Sequence, residues 1–576
     1  MKIEKNWLTI STTKIINYFS IFLNSISIIL AIVHLLFPIS LTLWDFFGVI
    51  LLLTFPQNLL LIFLNSRRNN EDRKSEFKMN LFSYIFLVFI ILAMIGMMLG
   101  NLLISVTYSN RIIHNIGAYL LIYFFYFGTL LIGFSYAIFG IKSHNQRNFE
   151  LEFQILDKKL SKRFLKVTKV LKRVLTIISR ITFIIGIIFG IVIIFGSFEI
   201  VTTFIAIVSG QFGIFFSIIF LANTILLLKL KHHNWRSKKF YRTATAGILI
   251  SGLLLVPLFL TQNTIYDIER NFSNSFGVDW RDKIPPEVNQ YFLETPFSLS
   301  NYFLGVPPKD CKIEKNILFY EGEGIELYFD AYLPLNNREG LPGENSTILR
   351  IHGGGWVSGD KGMMNMMQMN KYFAAQGYVV FDIQYGIAKN FLYELDPLTP
   401  DYKKGDFNID DMMRHIGIFT NYLNDHASEY GANLNSVFIS GGSAGGHLAC
   451  AVALAMASKS YPDLFNDNLK VRGLVPFYPA NGQMGFFGVN GKDEFKNPEK
   501  LIESDSPPCL IFQGTHDILN YFSISKNIQS MYYYKGNQKC AILWMPFGGH
   551  ASDFYFTGYY NQIFLYYMER FIYLYH

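Results

Sequence analysis

The serine with the clearest chemical context is Ser443, which lies in the turn sequence Gly441-Gly442-Ser443-Ala444-Gly445. The apolar run before it, Ser436–Ser440, predicts a strand, and His447–Met456 after it predicts a helix. A sharp turn between a strand and a helix exposes the serine hydroxyl, and the backbone N–H after the serine can face an oxyanion. Glycine suits this turn because it carries no Cβ at points of close approach. The context therefore predicts a nucleophilic serine.

Three consecutive glycines follow a strand further upstream. The run Thr347–Ile351 predicts a buried strand, and it leads directly into His352-Gly353-Gly354-Gly355-Trp356. Backbone N–H groups of consecutive glycines can point into a cleft and stabilise a negative charge that develops on oxygen. The alternative is an ordinary glycine-rich turn, but the combination with the serine turn favours a role in stabilising an oxyanion.

An acid and a histidine follow the serine in the chain. Asp517 comes after the strand-like run Pro508–Phe512, and His550 comes after the strand-like run Cys540–Trp544. A serine hydroxyl is a weak nucleophile until a base removes its proton, and histidine titrates near neutral pH. A carboxylate can hold the imidazole in the useful tautomer. Ser443, Asp517 and His550 each fall just past the carboxyl end of a predicted strand, so we expect a parallel sheet to bring them together.

Three other histidines lie in or beside these sequences. His447 is in the helix predicted after the serine, and we expect it to pack within the domain. His352 begins the glycine run, where a structural hydrogen bond is the expected role. His516 adjoins the predicted acid and is the weaker alternative to His550 as the base.

Together these sequences resemble the α/β-hydrolase superfamily, and within it the HGGG-type esterases and lipases of the hormone-sensitive-lipase-like and ferulic-esterase-like groups. The resemblance covers roughly residues 316–576. It departs from the family at Asp382–Gly386, where the family often has Asp-Tyr-Arg, so substrate contacts in that segment cannot be transferred. The resemblance implies a nucleophile at Ser443, a base at His550, an acid at Asp517, and an oxyanion hole formed by the N–H groups of Gly354, Gly355 and Ala444.

The first half of the chain has the composition of a membrane protein. The whole sequence is 51% hydrophobic, contains 55 phenylalanines and has a mean hydropathy of +0.26. Apolar stretches long enough to span a bilayer recur before residue 262. We predict seven spans, with six as the alternative because the last is short and the first two are barely separated. The stretches are Ile15–Pro38, Leu41–Leu64, Leu81–Val106, Ile116–Ile141, Val174–Phe198, Thr202–Leu228 and Thr243–Leu260.

Basic residues predict the orientation of these spans. They are concentrated before the first span and in the segments Arg67–Lys78, Lys142–Arg173 and Lys229–Arg242, whereas the alternate loops carry only Arg111. Because Lys and Arg mark the cytoplasmic side, we expect a cytoplasmic amino terminus and an extracytoplasmic carboxyl-terminal half. The two halves of the chain also differ in net charge, which is +17 for residues 1–260 and −10 for residues 261–576. A basic membrane region and an acidic exported domain agree with this orientation.

Two further segments carry specific expectations. Phe149–Leu175 has apolar residues spaced by three and four with lysines between them, which predicts an amphipathic helix on the inner leaflet. Residues 263–310 are rich in Asn, Phe, Pro and Ser, and we expect a linker that helps to cover the cleft. The four cysteines, all in the second half, lack metal-ligand spacing and do not imply a disulfide framework.

The remaining sequence alternates strands with helices, which predicts a doubly wound, mostly parallel sheet. The predicted strands are Ile325–Leu333, Thr347–Ile351, Tyr378–Ile383, Val437–Ser440, Val471–Phe477, Cys509–Phe512 and Cys540–Trp544. The predicted helices are Met363–Gln376, Ile409–Tyr430, Ser443–Met456, Ser523–Tyr534 and Thr557–Leu574.

The sequence thus predicts a multi-pass α-helical membrane region (residues 1–262), a linker or cover (263–310) and an α/β-hydrolase domain (311–576). We expect a cell-membrane serine esterase that acts through an acyl-enzyme outside the cytoplasm and prefers short acyl groups. Its expected partners are the lipid bilayer and a small-molecule or glycan ester, without a cofactor, a metal ion or nucleic acid. Two alternatives remain open: an acyltransferase or deacetylase acting on envelope sugars, and a transporter or sensor with a hydrolase-like binding domain. The oligomeric state is left open.

Overall fold

The computed structural model describes residues 10–36, 42–65, 73–105, 112–145, 157–231, 237–335, 340–363, 365–390, 396 and 399–576. The amino-terminal part is a helical bundle, and the carboxyl-terminal part is a sheet flanked by helices. The helices of the bundle are α1 Ile10–Leu36, α2 Thr42–Asn65, α3 Arg73–Ser105, α4 Ile112–Asn145, α5 Asp157–Phe195, α6 Ile200–Gln211, α7 Gly213–Lys231 and α8 Lys238–Leu254.

Within these described residues, α1 to α5 and α7 are the helices long and apolar enough to cross a membrane. They overlap six of the seven predicted stretches. Large apolar side chains such as Phe22, Leu120 and Ile184 point outward from the bundle. A bundle that is apolar on its outer surface as well as in its core is typical of helices surrounded by lipid.

The predicted span Thr202–Leu228 is divided into two helices. Helix α6 ends at Gln211, and α7 begins at Gly213 after the single residue Phe212. Close packing requires a glycine at position 213, because a Cβ there would lie 2.7 Å from the carbonyl oxygen of Leu254. The apolar run continues through this break, so hydropathy alone did not reveal it.

The seventh predicted stretch, Thr243–Leu260, corresponds to α8 and to the short helix α9, Val256–Phe259. Helix α8 runs antiparallel to α7. Gly247 of α8 packs against Thr224, and the Ser217 hydroxyl donates to the carbonyl of Ser251 over 2.9 Å. Helix α8 therefore runs back along α7 and ends near the point where α7 begins.

The basic segment before the fifth span is not a separate helix lying on the membrane surface. Helix α5 runs without a break from Asp157 to Phe195, so the described part of the predicted amphipathic segment is the amino-terminal extension of a span. Residues 149–156 lie outside the described residues. The lysines between the apolar positions do not interrupt the helix, because lysine is a good helix former.

Residues 263–310 are more ordered than the predicted linker. They form most of α10, Thr261–Phe276, and two short helices, α11 Pro286–Asn289 and α12 Leu299–Leu304. Helix α10 packs on the last strand of the sheet, where the Ser275 hydroxyl donates to the carbonyl of Cys540 and the Asn271 amide donates to that of Ile542. Helix α12 packs against α2 and α3. Apolar residues at helical spacing, including Ile268 and Phe272, explain why this segment folds.

The carboxyl-terminal part contains an eight-stranded sheet with the order β1-β2-β4-β3-β5-β6-β7-β8. Strand β2 is antiparallel to both of its neighbours, and the pairs from β4 to β8 are parallel. The strands are β1 Lys312–Gly322, β2 Ile325–Leu333, β3 Ser346–Ile351, β4 Val379–Ile383, β5 Asn433–Gly442, β6 Val471–Phe477, β7 Cys509–Gly514 and β8 Cys540–Met545.

Helices cover both faces of this sheet. Alternate strand residues point to opposite faces, so Leu349 and Ile439 belong to one core while their neighbours Ile348 and Phe438 belong to the other. The predicted architecture, apolar helices followed by a doubly wound, mostly parallel sheet, is confirmed. The helices are α13 Met366–Ala375, α14 Ile409–Tyr430, α15 Ala444–Ser458, α16 Asp493–Lys496, α17 Phe522–Tyr534 and α18 Tyr559–Tyr575.

Candidate active site

Ser443 occupies a strained turn between β5 and α15. Its backbone has φ 57° and ψ −121°, a region that residues with a side chain rarely adopt. The neighbouring glycines make this turn sterically feasible, because a Cβ at Gly445 would lie 2.1 Å from the carbonyl oxygen of Ile351, and one at Gly441 would lie 2.6 Å from the same atom. The turn thus presents the Ser443 side chain, which is partly exposed, at the carboxyl end of the sheet.

The glycine run lies beside this serine. A Cβ at Gly353 would be 3.5 Å from the Cβ of Ser443, and Gly354 and Gly355 have φ of 117° and 63°, respectively. Ala444 is the first residue of α15, where backbone N–H groups have no partner within the helix. Among the described residues, the N–H groups of Gly354, Gly355 and Ala444 donate to no backbone acceptor. These are the three donors that the sequence predicted for an oxyanion hole.

The predicted acid and base form a hydrogen-bonded pair. Nδ1 of His550 lies 2.9 Å from Oδ2 of Asp517. The other carboxylate oxygen of Asp517 accepts the backbone N–H groups of Leu519 and Asn520 over 3.0 and 2.9 Å. The Asp517 side chain is fully buried, whereas 11% of the His550 side chain is exposed. The pair therefore presents one edge of the imidazole to the cleft.

Asn520 and Tyr478 connect this pair to the serine. The Asn520 amide lies 3.5 Å from Oγ of Ser443 and also donates to the carbonyl of Tyr478 over 2.5 Å. The Tyr478 ring packs edge-on against His550, with centroids 4.7 Å apart. Among the described residues no hydrogen bond joins Ser443 to His550, and such bonds often tighten only when substrate binds. No motif in the sequence singles out Asn520, although Asn is common in the turns that follow strands.

The other histidines occupy different environments. Both ring nitrogens of His447 are engaged, because Nδ1 accepts from the Trp356 indole over 3.2 Å and Nε2 donates to the carbonyl of Phe495 over 2.7 Å. Burial lowers the pKa of His447 to about 4. His516 contacts the bundle, where its Nε2 lies 3.2 Å from the carbonyl of Ile194 at the end of α5.

His352 fixes the start of the glycine run. Its Nδ1 lies 2.7 Å from the carbonyl of Gly353, its Nε2 lies 2.8 Å from Nζ of Lys403, and its ring stacks on Tyr385. Burial lowers the pKa of His352 well below its usual value, and the adjacent Lys403 lowers it further. The neutral ring therefore donates to the Gly353 carbonyl and accepts from Lys403. Burial also lowers the pKa of Lys403, to about 8, against the opposing effect of Asp360.

The segment that departs from the family has a structural role at the end of β4. The Tyr385 hydroxyl donates to the carbonyl of His352 over 3.0 Å. The Gln384 amide oxygen accepts the backbone N–H of Tyr328 over 2.7 Å, and its nitrogen donates to Asp360 over 2.6 Å. Asp382 is buried, and burial raises its pKa to about 7. Of these residues, Tyr385 contacts the start of the glycine run directly.

Among the described residues, no group of three or more His, Cys, Asp or Glu side chains could hold a metal ion. All four cysteines, Cys311, Cys450, Cys509 and Cys540, are buried and unbridged. Burial raises the pKa of the Cys450 thiol well above its ordinary value, so this thiol is a poor nucleophile.

Residues 329–483 match the BD-FAE family model. The matched segment begins in β2 and includes the glycine run and the serine turn. A probable carboxylic ester hydrolase of Mycobacterium tuberculosis, LipM, is 23% identical over 241 residues, which cover 37% of this chain and 51% of that protein. The chain thus spans about half the length of this curated relative. The similarity to a carboxylic ester hydrolase thus lies within 241 aligned residues.

Solved structures of esterases are also similar to this domain. Esterase 2 of Thermogutta terrifontis, phosphorylated by paraoxon, is 20% identical, with 45% of this chain and 90% of that chain covered and a TM-score of 0.35. Esterase B of Lactobacillus rhamnosis, inhibited by a C4-C4 tributyrin phosphonate, is 22% identical, with 43% and 80% covered and a TM-score of 0.34.

Proposed function

We propose that this protein is a membrane-anchored serine hydrolase that cleaves carboxylic esters through an acyl-enzyme. The observation that carries the proposal is the strained turn at Ser443 beside the hydrogen-bonded pair of His550 and Asp517. The N–H groups of Gly354, Gly355 and Ala444 face the same cleft in this proposal. Each of these groups has a role that ester hydrolysis requires.

The reaction proceeds in two halves. Oγ of Ser443 attacks the ester carbonyl carbon while its proton passes to Nε2 of His550, and the oxyanion formed accepts hydrogen bonds from the glycine run and from Ala444. The carbon–oxygen bond to the alcohol then breaks, and the alcohol leaves with the proton from His550. Water attacks the acyl-serine in the same way and releases the acid. Asp517 holds the imidazole in the tautomer that accepts the serine proton.

We further propose that the enzyme prefers short acyl groups. The Phe487 ring stands over the glycine run, since a Cβ at Gly355 would lie 3.1 Å from that ring. Phe487 also packs edge-on against Trp356. Each methylene that cannot be buried forgoes about 0.8 kcal/mol of binding. A cleft narrowed in this way favours acetyl- to butyryl-sized groups.

The proposed location of the catalytic domain is outside the cytoplasm. Helix α3 contacts this domain at its carboxyl end, where the Ser105 hydroxyl oxygen accepts the backbone N–H of Phe556 over 3.2 Å. Near its other end, Asn80 accepts from Lys229, and Lys172 and Lys229 lie over the Tyr84 ring. Basic residues thus cluster at the end of the bundle away from the catalytic domain, which is consistent with a cytoplasmic position for that end.

Labelling with a fluorophosphonate tests the proposed function. The purified full chain in detergent should react at Ser443, as located by peptide mapping, and should hydrolyse nitrophenyl butyrate. Ser443→Ala should abolish both activities while the protein remains folded and membrane-bound. Hydrolysis by Ser443→Ala at the wild-type rate would contradict the proposal.

A further inference from the structure

The helical bundle directly contacts the loop that carries His550. This loop follows β8, and a Cβ at Gly549 would lie 3.2 Å from the Cβ of Ala206 in α6. The loop that carries Asp517 also touches the bundle, through the contact of His516 with the end of α5. Both loops that supply the acid–base pair therefore rest on the bundle.

Gln211, the last residue of α6, makes the central polar contact. Its Nε2 donates to the carbonyl of Ala551 over 3.0 Å, and its Oε1 accepts the backbone N–H of Tyr555 over 2.9 Å. The same amide nitrogen donates to the carbonyl of Ile207 in its own helix, so α6 holds the side chain in place. Gln211 is completely buried. One side chain thus binds the backbone at two points just after His550.

The His550 loop has a backbone that needs such support. Phe547 and Ala551 have φ of 63° and 52°, a conformation that costs a residue with a side chain on the order of 1 kcal/mol or more. Strained residues of this kind persist only when their surroundings hold them. Gln211 binds the carbonyl of Ala551 itself, immediately beside His550.

We propose that Gln211 is a positioning residue that holds His550 in its working geometry, so that the membrane bundle is part of the catalytic apparatus as well as an anchor. The inference rests on the proposed function, because it assumes that His550 is the base. The physical basis is that displacement of a catalytic group by about 1 Å can cost about 100-fold in rate. Without Gln211, the loop would lose two hydrogen bonds and the imidazole would sample unproductive positions.

The test compares Gln211→Ala and Gln211→Glu with Asn223→Ala in the full chain. Gln211→Glu keeps an acceptor for the Tyr555 N–H but opposes the carbonyl of Ala551 with a carboxylate oxygen. Asn223 is the matched control, because its buried amide donates to the carbonyl of Ser179 within the bundle, away from the catalytic loops. We expect both Gln211 variants to lower kcat for nitrophenyl butyrate by about 10- to 100-fold with KM within about twofold. Asn223→Ala should lose comparable thermal stability and keep the wild-type kcat.

The readouts are kcat, KM and the fluorophosphonate labelling rate of Ser443, each per folded molecule, together with Tm. Wild-type kcat in whichever Gln211 variant folds would overturn the inference, and so would an equal fall of kcat in Asn223→Ala. Absence of Ser443-dependent hydrolysis in the wild-type protein would instead contradict the proposed function itself. The two failures are therefore distinguishable.

Discussion

The two carboxylate oxygens of Asp517 have different partners. This difference determines the effect of replacing Asp517 with asparagine. Oδ1 accepts the backbone N–H groups of Leu519 and Asn520, and Oδ2 faces Nδ1 of His550. An asparagine has only one acceptor oxygen. The backbone donors would take that oxygen, so the NH₂ group would face the imidazole and favour the tautomer that carries its proton on Nε2.

Asp517→Asn should therefore lower kcat strongly with little change in KM, because Nε2 could no longer accept the Ser443 proton. The expected loss is about 10⁴-fold, as for serine hydrolases of this type. Steady-state hydrolysis of nitrophenyl butyrate measures it. A kcat within tenfold of the wild-type value would show that Asp517 is not the acid.

Lys403 contacts His352 at the start of the glycine run, and its protonation should make folding stability depend on pH. Its side chain is buried between His352 and Asp360, and burial lowers its pKa to about 8 from an ordinary value near 10.5. Between these two values the unfolded chain binds a proton that the folded chain does not. Folding stability should therefore rise with pH across this window, since the unfolded state binds more protons there.

Lys403→Met removes this titration. We expect the difference in Tm between the wild-type protein and Lys403→Met to shift in favour of the wild type as the pH rises from about 8 to about 10.5. Thermal unfolding in detergent at a series of pH values measures this difference. A difference that is independent of pH would show that folding does not lower the pKa of Lys403.

Phe487 is the residue we expect to limit acyl length, because its ring stands over Gly355. Phe487→Ala should shift the optimum of kcat/KM among nitrophenyl esters from short toward longer acyl chains. The expected gain is about 0.8 kcal/mol for each additional methylene that becomes buried. Tyr534→Ala is a suitable control, since that aromatic ring is 81% exposed on α17. A wild-type optimum at ten carbons or more would contradict the proposed preference.

At the scale of elements, the junction of β5 and α15 is held by backbone contacts that cannot adjust. A Cβ at Gly445 would lie 2.1 Å from the carbonyl oxygen of Ile351 and 2.5 Å from that of His352. Both atoms belong to the backbone of β3 and its continuation, so the helix and the strand would have to separate. The serine turn therefore depends on the packing of three elements and not on its own sequence alone.

Gly445→Ala should lower the free energy of unfolding by about 3 kcal/mol or abolish folding. The added methyl group would press against backbone atoms, which cannot move aside as a flexible side chain can. Gly485→Ala is the matched control, since a Cβ at that position would meet no atom within 4 Å. Thermal stability and fluorophosphonate labelling report the outcome. Equal stability of the two variants would contradict the packing argument.

Much of the sheet could be predicted because its strands are short, apolar and bounded by glycine or polar residues. Strand β6 and helix α14 have the predicted ends. Strand β1 was missed because it is an edge strand with charged residues and little burial. Its apolar run, Ile317–Tyr320, is flanked by charged residues, with Glu314 and Lys315 before it and Glu321 after it.

The candidate site was predictable where the local sequence encodes it, as at Ser443, whose flanking glycines set the turn. The residues that support the site could not be predicted in this way. Gln211 contacts Ala551 across 340 positions of the chain, and Lys403 reaches His352 across 51. No local pattern distinguishes such residues from other polar side chains, because their role arises only from tertiary packing.

At the scale of the whole molecule, the arrangement of charges leads to a prediction of topology. The four native cysteines are buried, so an introduced surface cysteine can be labelled selectively. Ser504→Cys on the catalytic domain should react with a membrane-impermeant maleimide in intact cells. Lys239→Cys at the opposite end of the bundle should react only after permeabilisation. The reverse pattern would place the catalytic domain in the cytoplasm and the basic end of the bundle outside.

The hydrogen bonds between α10 and β8 have a further consequence for solubility. Strand β8 is the last in the sheet, so one of its sides has no partner strand, and bare strand edges promote pairing between separate chains. Ser275 and Asn271 of α10 occupy carbonyl groups on β8 that a second chain would otherwise bind. The segment that joins the bundle to the catalytic domain therefore covers this edge of the sheet. A soluble fragment that begins after α10 would carry an open edge and would tend to self-associate.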